Sequence, residues 1–403
     1  MSRSRRMRLA TAALAVAASG WAAEPADEGV WISLARADIP GLAAAGVTMG
    51  ASIQSDASLA IYRVDPALLP ALSSAMHERF SKCGGFFAHA TRAEAEADLK
   101  AVAAPAGASL TIDQGDVVRP LAAAVRESEL RSTIADLSAR HDRFYQTEDG
   151  AAAARALAAR WRALLKDVPG AAVELVEHAG WKQPSVMATL PGADLSGETV
   201  VLGGHLDSIN SREGARGRAP GADDNASGIA ILTETLRVLS EGGFRPRRTV
   251  AFIGYAAEEV GLRGSGDIAK RWRGEGRAVA GVIQFDMTNF AGSGDKLFLV
   301  TDNVDPALTD YLGRLSDAYT GARRGELACG YACSDHASWT RSGYPASAVF
   351  ESNFDGVNPN IHTERDTLAA SGAAHSVKFA RLAVAFAVET AKPAPPARPL
   401  GPS

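Results

Sequence analysis

The sequence predicts an α/β fold: a mixed, largely parallel central sheet flanked by helices on both faces, preceded by a small N-terminal α+β unit. Two observations carry this. From about residue 120, apolar runs at 199–202, 249–254, 281–285, 297–300 and 346–350 alternate with helical stretches at 227–239, 307–319 and 376–390. The runs are nearly continuous in apolar residues, as strands covered on both faces are. No internal repeat of solenoid length interrupts the pattern.

Taken in chain order, residues 1–22 read as a secretory signal. Arg3, Arg5, Arg6 and Arg8 form a positive start, an apolar run follows over 9–18, and Gly20-Trp-Ala22 offers small residues for cleavage. That run is far shorter than a membrane span, and no other stretch reaches that length. Residues 23–115 read as a separate prosegment. Within it, Leu59–Val64 alternates like a strand, and Thr91-x-x-Glu94 has the spacing of a capping box that opens a helix through Lys100. No acid, base or metal cluster is visible in this part, and the Ala/Val/Pro/Gly segment 101–108 reads as a linker. Residues 116–391 form the main domain. The last residues, 392–403, carry five prolines and no apolar period, so a disordered tail is expected.

Composition excludes several classes. Lys+Arg 42 against Asp+Glu 46 gives a net charge of -4 with no internal basic run, which argues against nucleic-acid binding. Three cysteines are too few for a disulfide scaffold, and none has the spacing of a Cys-based zinc site. An odd cysteine is a liability in an exported protein. Removing the prosegment takes Cys83 with it and leaves Cys329 and Cys333, which favours its removal.

The unusual polar residues fall just past strand ends. His205 and Asp207 follow the run at 199–202, Glu258 and Glu259 follow 249–254, and Asp286 follows 281–285 directly. Asp224 precedes the helix near Ser227, and His362 lies in the loop after 346–350. Ligands of open α/β sheets bind outside the carboxyl ends of the strands, so these residues should converge at one edge. Singly, each has an ordinary explanation: a packing histidine, a solvated Glu-Glu pair, an aspartate cap for Asp223 or Asp224. Jointly, two imidazoles and three or more carboxylates suit zinc or another divalent ion, with a carboxylate to spare that can bridge two. Of two adjacent glutamates, one can bind metal while the other takes a proton from water.

Six motifs then occur in order: Gly203-Gly-His-Leu-Asp-Ser208, Ala219-Pro-Gly-Ala-Asp-Asp-Asn-Ala-Ser-Gly228, Tyr255-Ala-Ala-Glu-Glu-Val-Gly-Leu-Arg-Gly-Ser265, Asp286-Met-Thr-Asn289, Cys329-Gly-Tyr-Ala-Cys-Ser-Asp-His-Ala-Ser-Trp339 and Asn358-Pro-Asn-Ile-His-Thr363. With Asp142-Arg-Phe-Tyr145 near the start, the stretch from about Glu129 to Ala391 closely resembles the secreted bacterial leucyl aminopeptidases, the co-catalytic dizinc aminopeptidase family. The resemblance implies a zinc-exopeptidase-like fold and two Zn2+ per chain. His205 and Asp286 would hold one ion, Glu259 and His362 the other, and Asp224 would bridge them. Glu258 would be general base and acid, and Asp207 would accept the second ring N–H of His205. The Asp224–Asn225 peptide would be cis, as in the family.

The same resemblance places the Tyr331 hydroxyl to assist the oxyanion, and Cys329 with Cys333 in a small-loop disulfide that shapes the Tyr331 loop. Met287, Phe350, Phe354 and Ile361 would wall an apolar pocket for the N-terminal side chain of a peptide with a free amino group, preferring Leu or other large apolar residues. Ala348 and Val357, smaller than walls in relatives, suggest a wider pocket. His336 is expected to be structural. The resemblance also implies a monomer whose prosegment assists folding and restrains activity.

Three rivals share the fold. A glutaminyl cyclase would use one zinc, whereas all five ligand positions are filled here. A carboxypeptidase would need a cation for the substrate carboxylate, for which Arg212, Arg263 and Arg365 are the nearest in sequence. A binding protein that has lost catalysis would lack ligands or the base, and Glu258 is present. The expected protein is a secreted aminopeptidase, periplasmic or extracellular, acting on peptides and not on nucleic acid or membrane.

Overall fold

The structure, a computed structural model, describes residues 29–100 and 110–395. The expected signal, the linker at 101–108 and residues 396–403 lie outside the described residues.

The N-terminal unit is a four-stranded antiparallel sheet of order β2-β3-β1-β4, with β1 Val30–Ala35, β2 Gln54–Ser55, β3 Leu59–Val64 and β4 Phe86–His89. It carries α1 Ile39–Ala44, α2 Leu69–Phe80 and α3 Arg92–Ala97. Alternation put β3 where the sequence reading has it, and the Thr91 side chain does cap α3 by accepting the Glu94 N–H. That helix ends at Ala97, short of Lys100. Ile32, Leu34, Leu69, Leu72 and Met76 bury its core, but the same cluster includes Phe144, Tyr145, Ile209, Ala257 and Val260 from the main domain. The unit therefore does not close its own hydrophobic face; it closes it against the main domain.

The main domain holds an eight-stranded sheet of order β11-β10-β12-β9-β7-β8-β6-β5. Its strands are β5 Ala172–Val176, β6 Ser185–Leu190, β7 Leu195–His205, β8 Arg248–Tyr255, β9 Ala278–Phe285, β10 Lys296–Val300, β11 Arg323–Leu327 and β12 Ala346–Phe350. The four central strands β12, β9, β7 and β8 run parallel, while β6 and β10 pair antiparallel at the flanks. Helices α4 Gly115–Ala123, α5 Glu127–Ser138, α6 Glu148–Leu165, α7 Ala226–Glu241, α8 Arg263–Gly274, α9 Pro306–Tyr319, α10 His336–Arg341 and α11 Val377–Ala391 cover it. One large core, with Trp161, Val200, Leu202, Phe252, Phe285, Phe379 and Phe386, fills one face, and a second, with Trp272 and Trp339, fills the other.

The central strand β7 runs through Gly203 and Gly204 to His205, three residues past the apolar run. Glycine reads as a breaker, yet here it serves packing: a Cβ on Gly203 would lie 2.5 Å from the Tyr255 ring. His205 is thus the last residue of the strand, held by its ladder.

Two boundaries differ from the sequence reading. Leu110 and Ile112 pack against the large core, and the buried Glu389 carboxylate accepts the N–H groups of Asp113 and Gln114 at 3.0 and 2.9 Å, so residues 110–115 go with the main domain. The tail is also anchored at its start. Pro393 bridges to Pro246, the Ala394 N–H donates to the Arg245 carbonyl at 2.7 Å, and Lys392 Nζ donates to the Thr111 carbonyl at 2.9 Å. Proline content predicts the absence of regular structure there, but not the absence of partners.

Candidate metal centre

His205 ends β7, Glu258 and Glu259 follow β8, and Asp286 follows β9, so three adjacent parallel strands deliver four polar side chains to one edge. Asp224 arrives from the turn before α7, where Asn225 caps the helix by accepting the Gly228 N–H. His362 comes from the loop beyond β12. All of these residues are at least nine-tenths buried. The Asp224–Asn225 peptide is cis.

Asp224 is the centre of the arrangement. Its Oδ1 lies 3.0 Å from Nε2 of His205, and its Oδ2 lies 3.0 Å from Nε2 of His362. Asp286 Oδ1 stands 3.5 Å from the His205 nitrogen, and Glu259 Oε2 stands 2.9 Å from the His362 nitrogen. The structure thus brings together the five expected ligands as two imidazole–carboxylate pairs joined by one carboxylate.

The fit to a cation is tested by hydrogen bonding. Asp224 Oδ2, Glu258 Oε1, both Glu259 oxygens, Asp286 Oδ1 and both ring nitrogens of His362 are buried without a hydrogen-bond partner. Buried polar atoms are nearly always satisfied, and so many orphans gathered at the two ligand pairs call for cations. The lone pairs suit zinc, which takes imidazole nitrogen and carboxylate oxygen.

Electrostatics agree. Burial works to raise the Asp224 carboxyl, but the imidazoles of His205 and His362 hold it well below the ordinary carboxylate range. Burial pushes Glu259 up to about 7, against the opposing pull of His362. Burial pushes Glu258 well above its ordinary range, and Asp335 and Glu259 add to the rise. Burial disfavours charge on His205, but the Asp286 and Glu258 carboxylates outweigh it and raise the imidazole. So many carboxyl groups out of water are costly without added positive charge.

Asp207 makes a contact that the sequence reading did not expect. The His205 Nδ1 contact is to the Asp207 backbone carbonyl at 3.1 Å, while the carboxylate Oδ1 lies 3.5 Å away. That carboxylate accepts the backbone N–H groups of Glu258 and Glu259 at 3.0 and 3.2 Å, so the residue orients the glutamate pair by its side chain and meets the histidine by its carbonyl.

Other supports lay outside the sequence reading. The buried Arg143 guanidinium donates to the carbonyls of Leu206, Pro220 and Gly221, pinning the segments that carry His205 and Asp224. Asp366 accepts the N–H groups of Asp223 and Asp224, and Ser334 donates to Asp286 Oδ2 at 2.6 Å. Arg143 and Ser334 sit inside the quoted motifs, and Asp366 lies four residues beyond His362, so proximity to the motifs was the available signal.

The expected pocket residues also gather. Met287, Phe350, Phe354 and Ile361, with Leu327, line a cavity of about 560 Å³ beside Asp286. Phe354 is the exposed one, at 45%, on the cavity rim. Cys329 and Cys333 form a disulfide in the loop that carries Tyr331. Ala257, Met287 and His362 are non-glycine residues in the left-handed region, at φ 57, 49 and 56. Each costs on the order of 1–3 kcal/mol, a cost tolerated where a side chain must be aimed. The N-terminal unit, which shows no metal-ligand cluster of its own among the described residues, contributes to one shared with the main domain. His77 and Cys83 approach His362, with one donor atom of each within 4.8 Å of the others, and the Tyr331 hydroxyl accepts the Cys83 N–H at 2.9 Å. Long-range docking brings them there, and no local pattern signals it.

Known proteins resemble this chain in sequence and fold. The family model described as Peptidase family M28 matches residues 185–387. The chain belongs to peptidase family M28. Among relatives, a protein of Trichophyton verrucosum named probable leucine aminopeptidase is 37% identical over 278 residues, covering 68% of this chain and 76% of its own. Another from the same organism, probable leucine aminopeptidase 1, is 38% identical over 307 residues, 72% of this chain and 82% of its own. The solved structure of the Legionella pneumophila LapA aminopeptidase superposes with a TM-score of 0.78 at 26% identity, covering 90% of this chain and 98% of that one. Residues 110–395 alone cannot supply that coverage, so the likeness extends into the N-terminal unit. The enzyme class is metallo-aminopeptidase, a hydrolase, and the family implies zinc. The mixed sheet flanked by helices is the one expected. Among the described residues, no helix is long and apolar enough to cross a membrane.

Proposed function

We propose that this M28 peptidase is an exported dizinc aminopeptidase that removes Leu or other large apolar residues from the N-termini of peptides. The observation that carries the reading is Asp224, whose two oxygens face two separate imidazole–carboxylate pairs at 3.0 Å each. One carboxylate spanning two ligand pairs is what two neighbouring ions require. The names of the fungal relatives support the leucine preference, and the apolar cavity walled by Met287, Phe350 and Ile361 supports it independently. The Cys329–Cys333 disulfide suits an oxidising compartment.

Bound zinc would supply Lewis acidity, lowering the pKa of water and polarising the scissile carbonyl. His205 and Asp286 would hold one ion, His362 and Glu259 the other, with Asp224 shared. Glu258, whose Oε1 has no hydrogen-bond partner, accepts the proton of the attacking water and returns it to the leaving amine. Asp207 fixes the direction of Glu258 through its backbone N–H. The Tyr331 hydroxyl, once free of the Cys83 N–H, can donate to the developing oxyanion. The apolar cavity holds the N-terminal side chain.

The test compares leucine-p-nitroanilide with its N-acetyl analogue, using chain cut within residues 101–109, with and without a zinc chelator. Cleavage of the free-amine substrate alone, lost on chelation and restored by zinc, is expected. Equal cleavage of both substrates, or activity indifferent to chelation, would overturn the reading.

A further inference from the structure

The N-terminal unit reaches into the site by one segment. Helix α2 ends at Phe80, and the chain turns through Ser81, Gly84 and Gly85, all at positive φ. This turn lies across the apolar cavity: His77, Phe80, Lys82 and Cys83 line one side, and Asp286, Met287, Tyr331 and Phe350 the other. It is tied down on either side, in α2 and in β4. Ser73 Oγ donates to the Glu259 carbonyl at 2.6 Å, and the Ala88 N–H donates to the Gly261 carbonyl at 3.0 Å. A Cβ on Gly84 would lie only 3.8 and 3.9 Å from the carbonyl oxygens of Glu258 and Glu259, so the turn runs against the backbone of the glutamate pair.

At the tip, the Cys83 N–H is held by the Tyr331 hydroxyl, and the Cys83 sulfur, one His77 ring nitrogen and one His362 ring nitrogen gather within 4.8 Å of one another. The His77 and His362 rings are 4.2 Å apart, centroid to centroid. His362 is only 3% exposed, yet neither of its ring nitrogens has a hydrogen-bond partner, and His77 Nδ1 has none either. Thiolate sulfur is a strong zinc ligand, bound at about 2.3 Å against about 2.0–2.1 Å for imidazole nitrogen. Cys83 is the one free cysteine, because Cys329 and Cys333 are paired.

We propose that Cys83 is a metal ligand supplied by the N-terminal unit: its sulfur would bind the ion that His362 and Glu259 would hold, in competition with the hydrolytic water. This rests on the dizinc reading above. The thiol proton passes to solvent as sulfur binds, and no oxidant or reductant is involved. The full chain is thereby inhibited twice, by sulfur at the metal and by Phe80 to Cys83 across the substrate cavity. Removal of the N-terminal unit takes away both and frees the Tyr331 hydroxyl.

The test is zinc K-edge X-ray absorption on the zinc-loaded full chain, a readout independent of activity. The wild-type chain should show one sulfur neighbour for every two zinc ions, at about 2.3 Å, and Cys83→Ser should show nitrogen and oxygen neighbours only. Cys83→Ser should also raise the aminopeptidase rate of the full chain severalfold; an unchanged rate would overturn the inhibitory role. Bound zinc with only nitrogen and oxygen neighbours in the wild-type chain would overturn the assignment of Cys83 while leaving the dizinc reading intact. A chain that takes up no zinc would overturn both. The wild-type spectrum decides the ligand question even if the variant fails to fold.

Discussion

The carboxylate of Asp207 accepts the backbone N–H of Glu258 at 3.0 Å, linking the segment after β7 to the segment after β8. The adjacent N–H of Glu259 is held by the second oxygen at 3.2 Å, and the His205 ring rests against the same residue. Asp207 thus touches a proposed metal ligand of each ion and the proposed base, His205 through its backbone carbonyl and the glutamates through its carboxylate.

Asp207→Asn should lower metal affinity or activity by about 10–100-fold, the usual effect of removing an outer partner of a ligand. Asparagine keeps one acceptor oxygen but cannot serve both N–H groups. Circular dichroism should remain that of the wild type. Kinetics together with zinc titration checks this, and full retention of both would show that the two N–H bonds position nothing.

Glu258→Gln should retain zinc and lower kcat by about 10²–10⁴-fold, the range for loss of general acid–base catalysis. The amide is nearly the same size and removes only the proton-accepting function. KM should change little, because Glu258 is not assigned to hold the substrate. A variant that loses zinc together with activity would reassign Glu258 as a ligand.

His336 should make stability fall with acid. Burial lowers this imidazole from its ordinary value to about 3, so the folded protein leaves it neutral where the unfolded chain binds a proton. Stability is then fully present above the unfolded pKa and is lost as pH falls below it, at up to about 1.4 kcal/mol per pH unit. Urea midpoints at pH 7 and pH 5.5, compared between wild type and His336→Gln, should show a smaller drop in the variant. Equal drops would place the acid sensitivity elsewhere.

The sequence shows the parallel strands and the ligand set for a physical reason. Strands buried on both faces are written as continuous apolar runs, and ligands sit where those runs end. Thus Asp286 could be placed directly after β9, and His205 only near β7, because Gly203 and Gly204 hid the last turns of that strand. Arg143 was less legible: of its carbonyl partners, Leu206, Pro220 and Gly221 are 63 to 78 residues away in sequence, and no local periodicity encodes them. The same holds for Cys83, whose partner Tyr331 is 248 residues distant. Nothing around Cys83 marks it; only the docking of the N-terminal core on Phe144, Tyr145 and Val260 brings it to the site.

The central claim is that Asp224 joins two metal sites, one on His205 and one on His362. Zinc counted per chain after dialysis tests it most directly, in the form cut within residues 101–109. The account predicts about two ions in the wild type, about one in His205→Ala and about one in His362→Ala. A single ion in the wild type that survives either substitution would contradict it.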